Sequence, residues 1–324
     1  MDASLVDNYR ETLIPVITDN LLPDDMFVSR SQNDSAYVNS DVVKLPQRGL
    51  MPGIERNREA VPAQAKKRQD TVHAYNLSEF TTTPTYVSLN NEVVVSYNKA
   101  QSMLKDHIDL QNVYCAESAL DVWSPDGGGL TNTSRIFETT GDARAAGVIP
   151  SWDEAGSPIE LTGNRKRITK ADFTKMAEIF NRNNIPQMGR VCLLTASQLD
   201  DLLQIAEFTD ANKVGSNMTA LKEGVVGRMA GFDIMVRSSV LFYSADATAK
   251  RNNVDRDDII GGDCEAAIFW HPSFVRRAMG SVDVFLEVKS PTYYGDIMST
   301  SVRFGGDTWY ANGKGVYILK DGVA

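Results

Sequence analysis

At 324 residues the chain has room for one large domain or two ordinary ones, and a 42% hydrophobic content fills a core and excludes global disorder. Its 33 basic and 42 acidic residues leave a formal net charge of -9. Such a chain repels bare nucleic acid at long range, which argues against a sequence-reading DNA binder but leaves room for a wall that surrounds DNA.

Residues 1–9 carry Asp2 and Asp7 and no apolar core, so they do not read as a signal peptide. Residues 1–34 hold a short apolar stretch at 13–17 and then Pro23, the pattern of a short helix followed by an arm. Residues 36–45 and 71–89 are rich in Val, Thr and Tyr and read as strands. Between them, 46–70 is polar and holds Pro46, Gly49, Pro52, Gly53 and Pro62. It cannot bury much of its own surface, and reads as a two-stranded flap that needs something else to lie on.

Residues 98–123 read as a long helix with Leu104, Ile108, Cys115, Ala119 and Val122 on one stripe, ended by Pro125 and by Gly127, Gly128 and Gly129. Residues 131–163 are loop-like. Thr169 with Asp172 forms a variant of the capping box, opening a helix whose buried stripe is Phe173, Met176, Ala177 and Phe180 and which Pro186 closes. Residues 190–194 (RVCLL) are a short buried strand, and Thr195 with Gln198 caps a helix bearing Leu199, Leu202 and Leu203. Gly231 precedes a strand at 232–236. Another at 265–270 leads into a short helix opened by Pro272. Residues 282–319 are strand-rich, with a turn at Asn312-Gly313. The fold class is α+β, with no run of about 18 apolar residues to span a membrane.

The motifs of catalysis are missing. His73, His107 and His271 form no HExxH or His-x-His pattern, so neither a metal site nor a cofactor is expected. No GxSxG is present. The cysteines Cys115, Cys192 and Cys264 lie far apart with no CxxC pair, as expected of buried, reduced thiols in a protein that folds in a cytosol. Cys115 or Cys264 with His271 could pair as nucleophile and base, but buried small hydrophobes are the plainer account. The glycines after Asp126 end a helix instead of opening one, and 224–231 (GVVGRMAG) lacks GxGxxG, so neither is a nucleotide cradle.

Charge is unevenly placed. Residues 48–68 hold six basic side chains (Arg48, Arg56, Arg58, Lys66, Lys67, Arg68) against Glu55 and Glu59, a net of +4. Residues 99–126 hold Lys99 and Lys105 against Asp106, Asp109, Glu117, Asp121 and Asp126, a net of -3. A basic flap and an acidic helix on one chain suit head-to-tail contacts between copies. The plainer alternative is two ordinary solvated surfaces. The candidate contact residues are Arg48, Arg56, Arg58, Lys66, Lys67, Arg68, Asp106, Asp109, Glu117 and Asp121.

Taken together, the elements resemble the major capsid proteins of tailed bacteriophages, the HK-ninety-seven-like fold shared with some other viruses and with encapsulin compartments. The stretch SYNKAQSMLKDHIDLQNVYCAESALDVW (96–123) resembles that family's spine helix. GRVCLLTASQLDDLL (189–203), VVGRMAGFDIMVRSSVL (225–241) and EAAIFWHPSFVRRAMG (265–280) resemble successive pieces of its central domain, and YYGDIMSTSVRFGGDTWYANGKGVYIL (293–319) its terminal strands. The long loop 131–163 departs from the pattern. The resemblance implies an N-terminal arm (1–35), an extended β-hairpin loop (36–89), a peripheral domain with the spine helix (90–134 and 281–312) and a central domain (135–280 and 313–324). It implies hexamers and pentamers of one chain closing an icosahedral shell in the virion. That shell encloses double-stranded DNA without sequence-specific binding, after folding in the host cytoplasm. Portal, scaffold or decoration proteins would be further partners, with no membrane, no cofactor and no enzyme activity. Some members crosslink a loop lysine to a neighbour's asparagine, for which Lys44, Lys66 and Lys67 are available. An encapsulin-like compartment is the alternative, and a Cys/His enzyme a more distant one.

Overall fold

The structure is a computed structural model that describes residues 26–49, 54, 56–57, 67–88, 99–126, 135–144, 150–152, 158–160, 165–205, 208, 225–245, 249–251, 263–292 and 294–323. The expected helix at 13–17, the three glycines after Asp126, and Arg58 and Lys66 lie outside these residues.

A long antiparallel ladder joins β15 (Val275–Ser290) to β16 (Gly295–Thr308). The strands β5 (Ser78–Thr81) and β6 (Thr85–Ser88) line the far side of β16, and the two-residue β1 (Gln32–Asn33) runs parallel to the start of β15. After the one-turn helix α1 (Met26–Ser29), the long helix α2 (Lys99–Trp123) falls within a residue of its expected bounds. Leu104, Ile108, Cys115 and Ala119 are buried in one cluster with Val284, Met298, Val302 and Phe304 of the ladder. Val122 is the exception, 40% exposed. In the last turns the helix turns Ala116, Leu120 and Trp123 inward instead, because the much larger indole of Trp123 is buried there and donates to the Arg276 carbonyl at 2.9 Å.

A second, central sheet has the order β11 (Val225–Met229), β12 (Phe232–Val236), β10 (Arg190–Leu194), β14 (Cys264–Trp270), β17 (Val316–Lys320), β7 (Ile136–Glu138), with β13 (Leu241–Tyr243) also on β14. Alternation along β10 explains why RVCLL is buried throughout. Cys192 and Leu194 face Phe173, Met176 and Phe180 of helix α3 (Lys170–Arg182), while Val191 and Leu193 join the cluster of α2. Both capping boxes form. The Thr169 amide donates to Asp172 at 2.9 Å, and Thr195 and Gln198 exchange bonds at the start of α4 (Ala196–Leu203). Leu202 is buried and Leu203 exposed.

Several expectations are corrected. The strand expected at 36–45 is broken by Ser40 and Asp41, both at positive φ, into β2 (Val38–Asn39) and β3 (Val42–Gln47). The run 71–89 contains three strands, β4 (Thr71–Asn76), β5 and β6, because its first part pairs with β3 and the rest with β16. The loop-like 131–163 contains β7 and a ribbon of β8 (Pro150–Trp152) with β9 (Pro158–Glu160). Three-residue strands are too short to show periodicity. Pro272 opens one 3-10 turn, Pro272–Phe274, and the Asn312-Gly313 turn carries the chain from one sheet to the other. Of the glycines of 224–231, Gly227 and Gly231 serve an antiparallel hairpin with Ala230 and Gly231 at its turn, and Gly224 lies outside the described residues.

Candidate assembly interface

The flap begins as the β3–β4 ladder, whose last pair is Gln47 with Thr71. Val43, Leu45 and Tyr75 bury against Ala278, flanked by Leu77 and Trp309. Polar contacts fix this stem to the ladder beneath it. Asp41 pairs with Arg303 at 2.7 Å, and the Gln47 amide donates to the Trp309 carbonyl at 3.0 Å. His73 stands 3.4 Å from Asp307, with its ring against Trp309. The Arg276 guanidinium lies 4.0 Å over the Trp309 ring and bonds Asp34 at 2.8 Å, and Asp34 also accepts from the Tyr75 hydroxyl at 3.1 Å. Burial raises the Asp307 carboxyl above its ordinary range.

Past the stem the cations are in solvent. Arg48, Arg56, Lys67 and Arg68 are exposed. Arg68 bonds Asp70 at 2.6 Å, and this bond, with one from the Gly49 amide, lowers the Asp70 carboxyl. No described flap cation pairs with a carboxylate of the long helix.

The helix does not present the acidic face its composition implied. Asp106 and Asp109 are exposed as expected. Glu117 is only 4% exposed and lies 3.9 Å from Arg237, and Asp121 is 3.1 Å from the Lys250 ammonium. Residues 115–120 are buried all round, and a carboxylate there needs a cation of its own chain.

Sequence reasoning missed an uncovered area on the ladder's face away from α2. Val284, with Val282 and Leu286 packed beside it, faces the helix, so Asp283, Phe285 and Glu287 face outward. The flap stem covers one end of this face; beyond it Phe285 is 52% exposed and Tyr86, opposite Ile297, is 59% exposed. A phenylalanine in the polar row of an alternating strand was the available signal.

The Cys264–His271 pairing is contradicted. The two residues lie at opposite ends of β14, about 20 Å apart along an extended strand. Burial raises the Cys264 thiol and lowers the His271 imidazole, whose ring nitrogens meet the Met188 carbonyl at 3.0 Å and the Ser273 amide at 3.2 Å. Cys115, Cys192 and Cys264 are all buried and none forms a disulfide. Among the described residues no group of His, Cys, Asp and Glu could hold a metal ion, and no helix is long and apolar enough to cross a membrane. Buried charge also forms a network in the central domain. Arg144 bonds Asp201 at 3.0 Å and also reaches Asp321, to which Gln198 donates at 2.9 Å.

Residues 145–295 match the phage capsid protein family. No curated protein sequence matches the chain. Among solved structures, the capsid of Ralstonia phage GP4 is 11% identical, with a TM-score of 0.61 over 91% of this chain and 87% of that one. The capsid of cyanophage P-SCSP1u is 14% identical, with a TM-score of 0.58 over 90% and 86%. A virus-like particle from Pyrococcus furiosus is 12% identical, with a TM-score of 0.50 over 96% and 99%. The chain therefore has the fold of these phage capsid shells along nearly its whole length, and residues 145–295 carry the sequence pattern of the phage capsid protein family.

Proposed function

We propose that many copies of this chain, gathered in rings of six and five, close an icosahedral shell around double-stranded DNA. The observation that carries this reading is the flap. Its stem is locked to the body by Asp41–Arg303 and Gln47–Trp309, while its described cations Arg48, Arg56 and Lys67 stand exposed without an ion pair. A polar strand pair held out in this way gains stability when it lies on a neighbouring copy. Arg58 and Lys66 belong to the same contact. The acidic partner surface includes Asp106 and Asp109 and excludes Glu117 and Asp121, which are engaged within the subunit.

The parts of the subunit follow: an arm up to residue 35, the extended hairpin 36–89, a peripheral domain of 90–134 and 281–312, and a central domain of 135–280 and 313–324. The two sheets, one under the long helix and one under α3, support that division. A chain of net charge -9 encloses DNA without reading its sequence. Its place is the virion, after folding in the host cytoplasm, with portal, scaffold or decoration proteins as further partners. The role is structural.

A second reading is a compartment around protein cargo, since the same shell fold is shared by a virus-like particle from Pyrococcus furiosus. Electron microscopy of the purified full-length chain, alone and with cell extract, tests both. Closed shells are expected, and the nucleic acid or protein inside them separates the two readings. A protein that stays monomeric by sedimentation under every condition overturns both.

A further inference from the structure

We infer that Asn312 is a deamidation site that the fold keeps latent, by holding the Gly313 amide and so blocking the attack that starts the reaction. The bonds concerned lie within one copy, so the inference does not depend on how copies assemble.

The chemistry is intramolecular. The backbone nitrogen of Gly313 gives up its proton and attacks Cγ of Asn312. The new C–N bond closes a cyclic imide, and the carboxamide C–N bond breaks to release ammonia. Water then opens the imide to aspartate or isoaspartate. The net change turns one carboxamide and one water into one carboxylate and one ammonium, and nothing is oxidised or reduced. A glycine after the asparagine favours the attack, because no Cβ shields its nitrogen. Asn312 is exposed, so water and base reach its side chain.

The turn opposes the reaction. The Gly313 N–H donates to the Tyr310 carbonyl at 2.7 Å, so the proton that must leave is bound and the nitrogen is aimed back at Tyr310. The Asn312 carboxamide oxygen accepts from the Lys314 amide at 3.2 Å, which fixes the side chain that the attack must rotate. On the far side, the Gly313 carbonyl accepts from Arg135 Nη1 at 3.1 Å and from the Val316 amide at 3.3 Å. Arg135 also fills the space beside the glycine. A Cβ there would run into its guanidinium, and Gly313 is buried at a φ of +61°. Attack therefore needs the turn to open first. Arg135 touches no reacting atom and acts as a positioning residue that keeps the turn shut.

The place of the turn gives the reaction its consequence. It carries the chain from β16 to β17. Isoaspartate would insert a methylene into the main chain there, just ahead of a strand paired on both sides with β14 and β7, and would add a negative charge.

The test ages the purified full-length chain in mildly alkaline buffer. Peptide mapping follows Asn312 for the mass gain of deamidation and for isoaspartate. Folded protein should react roughly tenfold or more slowly than the same chain in urea, since the turn must open before attack. Arg135→Met, checked for native circular dichroism, should react several-fold faster than the unsubstituted protein. Hydrogen exchange at the Gly313 amide of the unsubstituted protein should be slow, a readout that holds whether or not the variant folds. Equal rates in folded and unfolded chains overturn the lock, as does free exchange at Gly313. A folded Arg135→Met chain that ages at the unsubstituted rate overturns the part given to Arg135. Asn312 that stays intact even in the unfolded chain overturns the site itself.

Discussion

At the scale of single residues, Arg144 shows how buried charge holds this chain together. Its guanidinium neutralises Asp201 and Asp321, which have almost no exposed surface. Burial outweighs Arg144 and Gln198 at Asp321 and raises its carboxyl to about 6. A raised carboxyl favours the folded state most when it is protonated, so its contribution is present below about pH 4 and fades as pH climbs through about 6. Arg144→Met removes the cation and leaves two buried carboxylates. We expect a loss of about 3–5 kcal/mol at pH 8, the range for breaking a buried pair, and a clearly smaller loss at pH 5, where Asp321 takes a proton. Denaturant melts at the two pH values check this; equal losses would show that Asp321 does not titrate in the fold.

At the scale of elements, α2 separates buried from exposed positions sharply. Ile108→Asp places a charge against the ladder and should prevent a stable fold, at a cost of several kcal/mol. Val122→Asp, on the same stripe by spacing alone, should shift the melting temperature little, since Val122 is exposed. Thermal melts of the two variants decide whether Trp123 sets the orientation of the last turn. The contrast also marks what was legible. Both capping boxes, the strand at 190–194 and the bounds of α2 were readable because each rests on neighbours within four residues. The break at Ser40-Asp41 was not, since neither residue is a glycine and the turn is held by the Asp41–Arg303 pair across 262 positions. Ile136–Glu138 becomes a strand only because β17 lies parallel to it. Likewise, net charge over α2 gave no hint that Glu117 and Asp121 would be engaged from inside.

At the scale of the whole molecule, the flap's charge is the testable quantity. Reversing Arg56, Arg58, Lys66, Lys67 and Arg68 together to Glu should leave the monomer folded and weaken assembly, less so at high salt, where repulsion is screened. Each exposed pair is worth only about 0–1 kcal/mol, so single reversals should matter little. Light scattering across a salt series, with circular dichroism as the folding control, measures this. Assembly equal to that of the unsubstituted protein at every salt concentration would remove charge from the flap's role. One feature at the start of the chain bears on timing. Phe27 sits edge-on to both Trp123 and Trp270, the Trp270 indole donates to the Arg30 carbonyl, and Gln32–Asn33 pair with Arg276–Arg277. A ribosome must therefore make some 240 further residues before this opening segment finds its seat. Until then Phe27 lacks the two indoles it packs against in the finished fold. Protease protection of the opening segment should therefore appear only in chains that extend past residue 277.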